Sequence, residues 1–167
     1  SEEFWARENY RSKFKTPYEF IISALRVTGA EIDRQASIGR YLSDMGQPIY
    51  HCDDPTGYYD TADAWLDPGV MALRWQFATD FAMGKVRGVK IPDTFFDQIP
   101  FDGPPRLWQH HLTTLILPGG AGARTRAALA TVTSEYLERK KKRVPDLYEI
   151  GPTLVGLLLG SPEFQQQ

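Results

Sequence analysis

Four potential metal ligands stand next to one another at His51-Cys52-Asp53-Asp54. Adjacent residues in a loop seldom point at one ion, and this spacing matches no zinc or calcium pattern. We therefore interpret the run as a polar loop in which Asp54 makes a turn before Pro55. On this interpretation the sequence predicts no metal and no other cofactor, while a metal site at the run is the alternative.

The other features that resemble catalytic or ligand-binding motifs are incomplete. His110-His111 lies on a predicted helix without a metal ligand one turn away, so we expect one ring to face the core or a loop and the other to face water. The run Gly119-Gly120-Ala121-Gly122 lacks the Lys-Ser/Thr pair of a phosphate-binding loop. No Gly-x-Ser-x-Gly elbow occurs in the sequence. We assign no catalytic residue and leave open whether the chain is an enzyme.

Two arginines, Arg26 and Arg74, stand among apolar neighbours on predicted helices. A partly buried guanidinium needs several hydrogen-bond acceptors. We predict that both arginines donate to carbonyls or acidic groups of the loop between Gln47 and Trp65, and so fix that loop against the helices. The alternative is that they present charge to an anionic ligand in a pocket beside the loop.

The loop itself runs from Gly46 to Trp65 and is both irregular and aromatic. Prolines and a glycine prevent a helix through it, namely Pro48, Pro55 and Gly57. Its aromatic side chains are costly to leave in water, which favours a loop packed on a core or shaped for a ligand; they are Tyr50, Tyr58, Tyr59 and Trp65. The candidate ligand-binding residues are therefore Arg26, Gln47, Asp54, Tyr58, Trp65 and Arg74.

The elements that must position these residues are helices. Thr16-Pro17-Tyr18-Glu19 combines a cap, a proline and a capping box, and Gly29 stops the helix that it begins. Asp67-Pro68 begins another helix by the same logic. The remaining apolar patterns predict helices at about 34–45, 106–117, 125–141 and within 147–159, the last beginning either there or near Pro152. The sequence thus predicts an all-α fold, an irregular bundle of about six helices with two long ordered loops, in one domain over 1–167.

Length and composition agree with a packed globule, since 167 residues with 42% hydrophobic content fit one core. The net charge of −2 gives no overall footprint for nucleic acid. The basic run 139–143 is interpreted as a solvated helix end, with a nucleic-acid or phosphate contact as the alternative. Cys52 is the only cysteine and does not identify a compartment. No apolar run approaches the roughly 20 residues of a membrane span.

Five groups of motifs occur in order along the chain: Lys15-Thr16-Pro17-Tyr18-Glu19-Phe20 with Ser23-Ala24-Leu25-Arg26, Met45-Gly46-Gln47-Pro48, Asp54-Pro55-Thr56-Gly57-Tyr58 with Trp65, Arg74-Trp75-Gln76-Phe77-Ala78, and Ser161-Pro162-Glu163-Phe164-Gln165. In this order they resemble the C-terminal part of the bacterial family of unknown function numbered eighteen hundred. The resemblance implies a larger parent protein, and the export signals of many members imply a periplasmic or secreted one. It implies two partners, the N-terminal remainder of the same protein and a co-encoded exported protein of sulfatase-like character. It supplies no catalytic residues.

Two hypotheses follow from the residues and the resemblance. The first is a non-catalytic helical module for binding or assembly, and the aromatic N-terminal piece with Phe4, Trp5, Tyr10 and Phe14 is then expected to cover a partner surface. The second is part of a hydrolase whose active site is shared with the N-terminal region. An enzyme should have a deep cleft with convergent polar groups against the aromatic loop, whereas a binding module should expose an apolar patch.

Overall fold

The computed structural model of the chain describes residues 13–140 and 146–166. These residues form an all-α fold, as predicted, with one pair of two-residue strands and a short 3-10 turn at Ala62–Ala64. The seven helices of the described part are α1 Pro17–Val27, α2 Ile38–Asp44, α3 Pro68–Ala82, α4 Asp93–Phe96, α5 Pro105–Ile116, α6 Ala123–Lys140 and α7 Leu147–Leu159. None of these helices is long and apolar enough to cross a membrane.

Helix α7 lies at the centre of the packing, in contact with α3, α4, α5 and α6. It is the most apolar helix, and its buried side chains face several neighbours at once; they are Ile150, Leu154, Val155, Leu158 and Leu159. Gly151 permits close packing where α7 meets α4, because a Cβ there would lie about 3.0 Å from the Phe96 ring, a tight contact. The helix begins at Leu147, capped by the Asp146 side chain, and continues through Pro152. The first of the two predicted starting points is therefore the observed one.

The predicted helix starts of α1 and α3 are confirmed in atomic detail. Glu19 N donates to Thr16 Oγ1, and Thr16 N donates to Glu19 Oε2 at 2.8 Å, which makes a complete capping box. Asp67 Oδ1 accepts from the N–H groups of Gly69 and Val70. These side chains satisfy donors that a helix end leaves without intrahelical partners.

The predicted start of α2 near residue 34 is wrong by about one turn. Residues 31–32 form a strand that pairs antiparallel with Val89–Lys90, and Asp33 N donates to the Gly88 carbonyl at 2.9 Å. Ser37 N donates to the Arg87 carbonyl at 2.9 Å. These long-range hydrogen bonds hold the segment in a non-helical path, so α2 begins only at Ile38. The second long loop predicted from the sequence, residues 85–105, also contains regular structure, namely the strand Val89–Lys90 and α4.

Helical spacing predicts Trp75 on α3 and Ala128 on α6 for the core, but both are exposed. Trp75 is 58% exposed and lies beside Gly160 at the edge of the α3–α7 contact, whereas Phe77, two residues later, is fully buried. His110 and His111 are both exposed. The prediction that one of the two rings faces the core is therefore wrong. Helical spacing predicts which face of a helix is apolar, but the neighbouring helices determine how much of that face is buried.

The two ends of the described chain meet. Phe14 and Gln166 form an antiparallel backbone bridge, and Lys15 N donates to the Gln165 carbonyl at 2.8 Å. Phe14, one of the four aromatic residues expected to cover a partner surface, is half-buried in this structure. The other three, Phe4, Trp5 and Tyr10, lie outside the described residues.

Candidate functional site

The aromatic loop, defined here as residues 46–66, is held by its own aromatic side chains. The Tyr58 hydroxyl donates to the Pro48 carbonyl at 2.6 Å, and Trp65 Nε1 donates to the Tyr59 carbonyl at 2.8 Å. The Tyr58 and Trp65 rings lie 6.2 Å apart between centroids, and Trp65 is buried. Two carbonyls of the loop thus receive donors from inside the loop and need none from an arginine.

Gln47 joins the aromatic loop to two helices. Its side-chain Oε1 accepts from the Tyr18 N–H at 2.7 Å, at the N-terminal end of α1. Its backbone N–H donates to the Leu42 carbonyl at 2.8 Å, beyond the end of α2. Gln47 therefore satisfies one orphan group at each of two helix ends and sets where the loop begins.

Asp54 makes a local turn at the far side of the loop, as predicted from the following proline. Its Oδ1 accepts from Thr56 Oγ1 at 2.6 Å and from Thr56 N at 2.8 Å. These two hydrogen bonds lower the pKa of Asp54 below its ordinary value. The carboxylate is exposed and therefore charged at neutral pH.

The predicted role of the two arginines is wrong in this structure. Arg26 is exposed near the C-terminal end of α1, and no hydrogen bond of the described residues joins it to the aromatic loop. Arg74 is fully buried, but it donates to the Lys15 carbonyl at 2.7 Å and to Gln165 Oε1 at 2.9 Å. It connects the two ends of the described chain instead of the loop, because its acceptors come from the strand-like bridge.

The surroundings of Arg74 are aromatic as well as polar. The guanidinium lies 4.7 Å from the Phe14 ring centroid and 5.3 Å from that of Phe20, at distances where a cation is attracted to the ring face. Its Nε has no hydrogen-bond partner among residues 13–140 and 146–166. Burial lowers the pKa of Arg74 to about 10, against a smaller opposing effect of the Glu19 charge, so the guanidinium stays charged at neutral pH.

Lys15 completes this group, which we call the terminal cluster: Lys15, Arg74, Phe164 and Gln165. The Lys15 ammonium donates to the Phe164 carbonyl at 2.8 Å and lies 4.0 Å from the Phe164 ring centroid. Gln165 Nε2 donates to the Leu159 carbonyl at the end of α7. Lys15 and Gln165 stand in two of the five groups of motifs, but no local sequence pattern assigns them a role.

Glu163, also missed from the sequence, ties the same C-terminal motif to α6. Its two carboxylate oxygens accept from Gly122 N at 2.6 Å and from Thr125 Oγ1 at 2.8 Å. Burial alone would raise the pKa of Glu163, but these hydrogen bonds outweigh it and hold the pKa below its ordinary value. The carboxylate also lies where α6 begins, at the positive end of the helix dipole.

The outer face of the aromatic loop is exposed. Its exposed large apolar side chains are Ile49 at 46%, Tyr50 at 100%, Tyr59 at 67% and Leu66 at 52%. Tyr50 also has a left-handed backbone with a φ of 61°, which bulky residues rarely adopt. His51, Asp53 and Asp54 are exposed beside it, and no group of three metal-ligand residues converges within the described ranges.

A groove lies elsewhere on the molecule, between α2 and α3, with a volume of about 660 Å³. Its polar lining includes Arg40, Tyr41, Lys85 and Arg87, and the Tyr41 hydroxyl donates to Asp80 at 3.2 Å. Burial, followed by the Asp80 charge, raises the pKa of Tyr41. None of the residues that line this groove belongs to the aromatic loop.

The six predicted site residues therefore do not form one pocket. Gln47, Tyr58 and Trp65 lie in the internal frame of the aromatic loop, and Asp54 lies on its surface. Arg26 is on an exposed helix end, and Arg74 is in the terminal cluster. The structure thus brings together the loop residues and separates both arginines from them.

These features define an all-α protein that presents an ordered, exposed aromatic loop. The chain belongs to the family described as "Protein of unknown function (DUF1800)", whose model matches residues 1–166. The comparison with curated proteins found no match, and neither did the comparison with solved structures. The family resemblance carried by the five groups of motifs is confirmed.

Proposed function

We propose that this chain is a non-catalytic binding or assembly module of a larger exported bacterial protein, and that the aromatic loop is its contact surface. The partner that we propose for this surface is the N-terminal remainder of the same protein. The observation that carries the proposal is the set of exposed apolar side chains on the loop, with Ile49, Tyr50 and Tyr59 at its centre.

The construction of the loop supports a binding role. Its backbone is fixed from inside by Tyr58 and Trp65, so its outer side chains are presented in one arrangement. A preorganised surface loses less conformational entropy on binding than a free loop does. Tyrosine is one of the residues enriched among those that contribute most to protein–protein affinity.

The position of the groove favours a binding module over a hydrolase. A hydrolase with its site at the aromatic loop should have a cleft with convergent polar groups there. The groove between α2 and α3 is lined by residues that fall between 36 and 44 and between 73 and 87, and none of them belongs to the loop. The loop residues instead meet the description of an exposed apolar patch.

Binding between the two parts of the protein tests the proposal directly. The N-terminal remainder, produced as a separate chain, should bind this chain with a measurable heat in titration calorimetry. The double substitution Ile49→Ser with Tyr50→Gly should weaken that binding by a factor of about 30, the effect of losing roughly 2 kcal/mol at an interface centre.

The matched control is Ile32→Ser, since Ile32 is 54% exposed on the first strand, close to the 46% of Ile49. This control should bind like the parent chain. Equal binding by the Ile49/Tyr50 variant would contradict the proposal. Binding by the co-encoded sulfatase-like protein in place of the N-terminal remainder would retain the assembly role and replace the partner.

A further inference from the structure

Acidic residues are concentrated around the aromatic loop to a degree that the net charge of the chain hides. Residues 44–73 contain six aspartates and neither lysine nor arginine. The segment therefore carries a charge of −6, against −2 for the whole chain, so that the other residues sum to +4. An even charge balance overall thus conceals one strongly acidic segment.

All six aspartates are exposed, which leaves them available to a partner; they are Asp44, Asp53, Asp54, Asp60, Asp63 and Asp67. Two have a cation in reach, since Asp60 lies 2.7 Å from Lys13 Nζ and Asp44 lies 3.7 Å from Arg40 Nε. Asp53 and Asp63 have no cationic partner among residues 13–140 and 146–166. Even after the two pairs are subtracted, the surface keeps an excess of four negative charges.

The acidic groups alternate with exposed apolar ones along the loop. Tyr50 precedes Asp53 by three residues, Tyr59 is adjacent to Asp60, and Leu66 is adjacent to Asp67. A lysine or arginine side chain can make two kinds of contact with such a surface. Its apolar stem covers a ring or a leucine, and its charged head reaches a carboxylate. The faces of exposed tyrosines add a cation–π attraction.

We infer that the surface that docks on the aromatic loop is a protein surface in which lysine and arginine alternate with apolar residues. This inference rests on the proposed function and names the chemistry of its partner. The negative charge of the loop disfavours a nucleic acid or another acidic surface at the same place, since like charges repel across a desolvated contact. Long-range attraction should also make association faster at low ionic strength.

The probe is a synthetic nine-residue peptide of alternating lysine and leucine, compared with a peptide of alternating glutamate and leucine. Each is titrated into the isotopically labelled chain and followed by amide chemical shifts. The lysine peptide should shift the amides of residues 49–66 in a saturable way, and the glutamate peptide should leave them unchanged. Shifts of equal size with both peptides, or shifts only outside the loop, would overturn the inference.

A charge-matched pair of variants separates the loop from the chain as a whole. Asp53→Asn with Asp63→Asn should weaken binding of the lysine peptide at least about fivefold, because neither carboxylate has a cationic partner among the described residues. Glu135→Gln with Glu138→Gln removes two exposed acids of α6 and should leave the affinity unchanged. Equal loss in both variants would show only a response to net charge and would overturn the inference.

The calorimetric experiment keeps the two proposals distinguishable. If the N-terminal remainder binds and needs Ile49 and Tyr50, but its affinity neither falls with salt nor responds to the two Asn substitutions, the cationic partner is wrong and the binding module stands. If the remainder does not bind while the lysine peptide shifts the loop, the proposed partner is wrong and the surface chemistry stands.

Discussion

Two regions of this molecule hold irregular backbone in place, the terminal cluster and the aromatic loop, and they draw on different donors. In the terminal cluster, buried cations of Lys15 and Arg74 supply hydrogen bonds to carbonyls from the two ends of the chain. In the aromatic loop, neutral donors on Tyr58 and Trp65 supply carbonyls of the same loop. The first arrangement is long-range and wholly buried, whereas the second is local and leaves its outer face in solvent.

The difference shows where stability and binding reside. It costs free energy to leave a buried cation without its acceptors, or to leave the acceptors without the cation. Changes in the terminal cluster should therefore destabilise the fold. The outer face of the aromatic loop makes few internal contacts, so changes there should affect a partner and leave the fold intact. The following substitutions test this division, beginning with the largest expected effect.

Arg74→Met should lower the free energy of unfolding by about 2–4 kcal/mol, because the Lys15 carbonyl and Gln165 Oε1 lose the donors that the guanidinium supplies. Part of this cost is offset, since the substitution also removes a buried cation whose Nε finds no acceptor in the described part of the chain. Thermal and denaturant unfolding measure the effect. Arg26→Met is the control and should stay within about 0.5 kcal/mol, as expected for an exposed position. Similar melting of both variants would refute the distinction between the two arginines.

Glu163→Gln should lower the free energy of unfolding by about 1–2 kcal/mol, because charge-assisted hydrogen bonds to Gly122 and Thr125 become neutral or are lost. The pKa of Glu163 is lowered in the folded state, so its contribution is present above the ordinary pKa and is lost as pH falls through the folded one. The parent chain should therefore lose stability below about pH 4.5 more steeply than the variant does. A parallel pH dependence of both chains would contradict this role.

Tyr58→Phe should lower the free energy of unfolding by about 1 kcal/mol, the usual net value of one hydrogen bond, since only the hydroxyl that donates to Pro48 is removed. Tyr59→Phe is the matched control, because that side chain is 67% exposed. Urea unfolding of the two variants provides the measurement. If they are equally stable, the loop is not fixed by its internal tyrosine bond.

Tyr50→Gly should have the smallest effect and the opposite sign. Glycine adopts a φ of 61° without the steric cost that tyrosine has there, although it loses more entropy on folding. We expect the free energy of unfolding to stay level or to rise by up to about 1 kcal/mol. Tyr50→Ala, which keeps the steric cost, should not gain. A clear loss of stability in the glycine variant would show that Tyr50 has a structural role and would weaken the binding proposal.

The sequence alone determined the features that depend on neighbours along the chain. Thr16 with Glu19 and Asp67 with Pro68 predicted the starts of α1 and α3, because a cap and a helix end are only a few residues apart. The turn at Asp54 was predictable for the same reason. The all-α class followed from helical spacing, and the family followed from the five groups of motifs. Both are properties of the order of residues along the chain.

Only the tertiary structure decided which distant groups meet. Arg74 was recognised as a buried donor, but its acceptors lie 59 and 91 residues away, at Lys15 and Gln165, and no local pattern marks them. The strand pair that places the start of α2 at Ile38 also depends on residues far along the chain, namely 89–90. The aromatic loop was expected to need outside donors, yet its fold turns Tyr58 and Trp65 onto its own carbonyls. Sequence spacing specifies which groups need partners, whereas packing in three dimensions selects the partners.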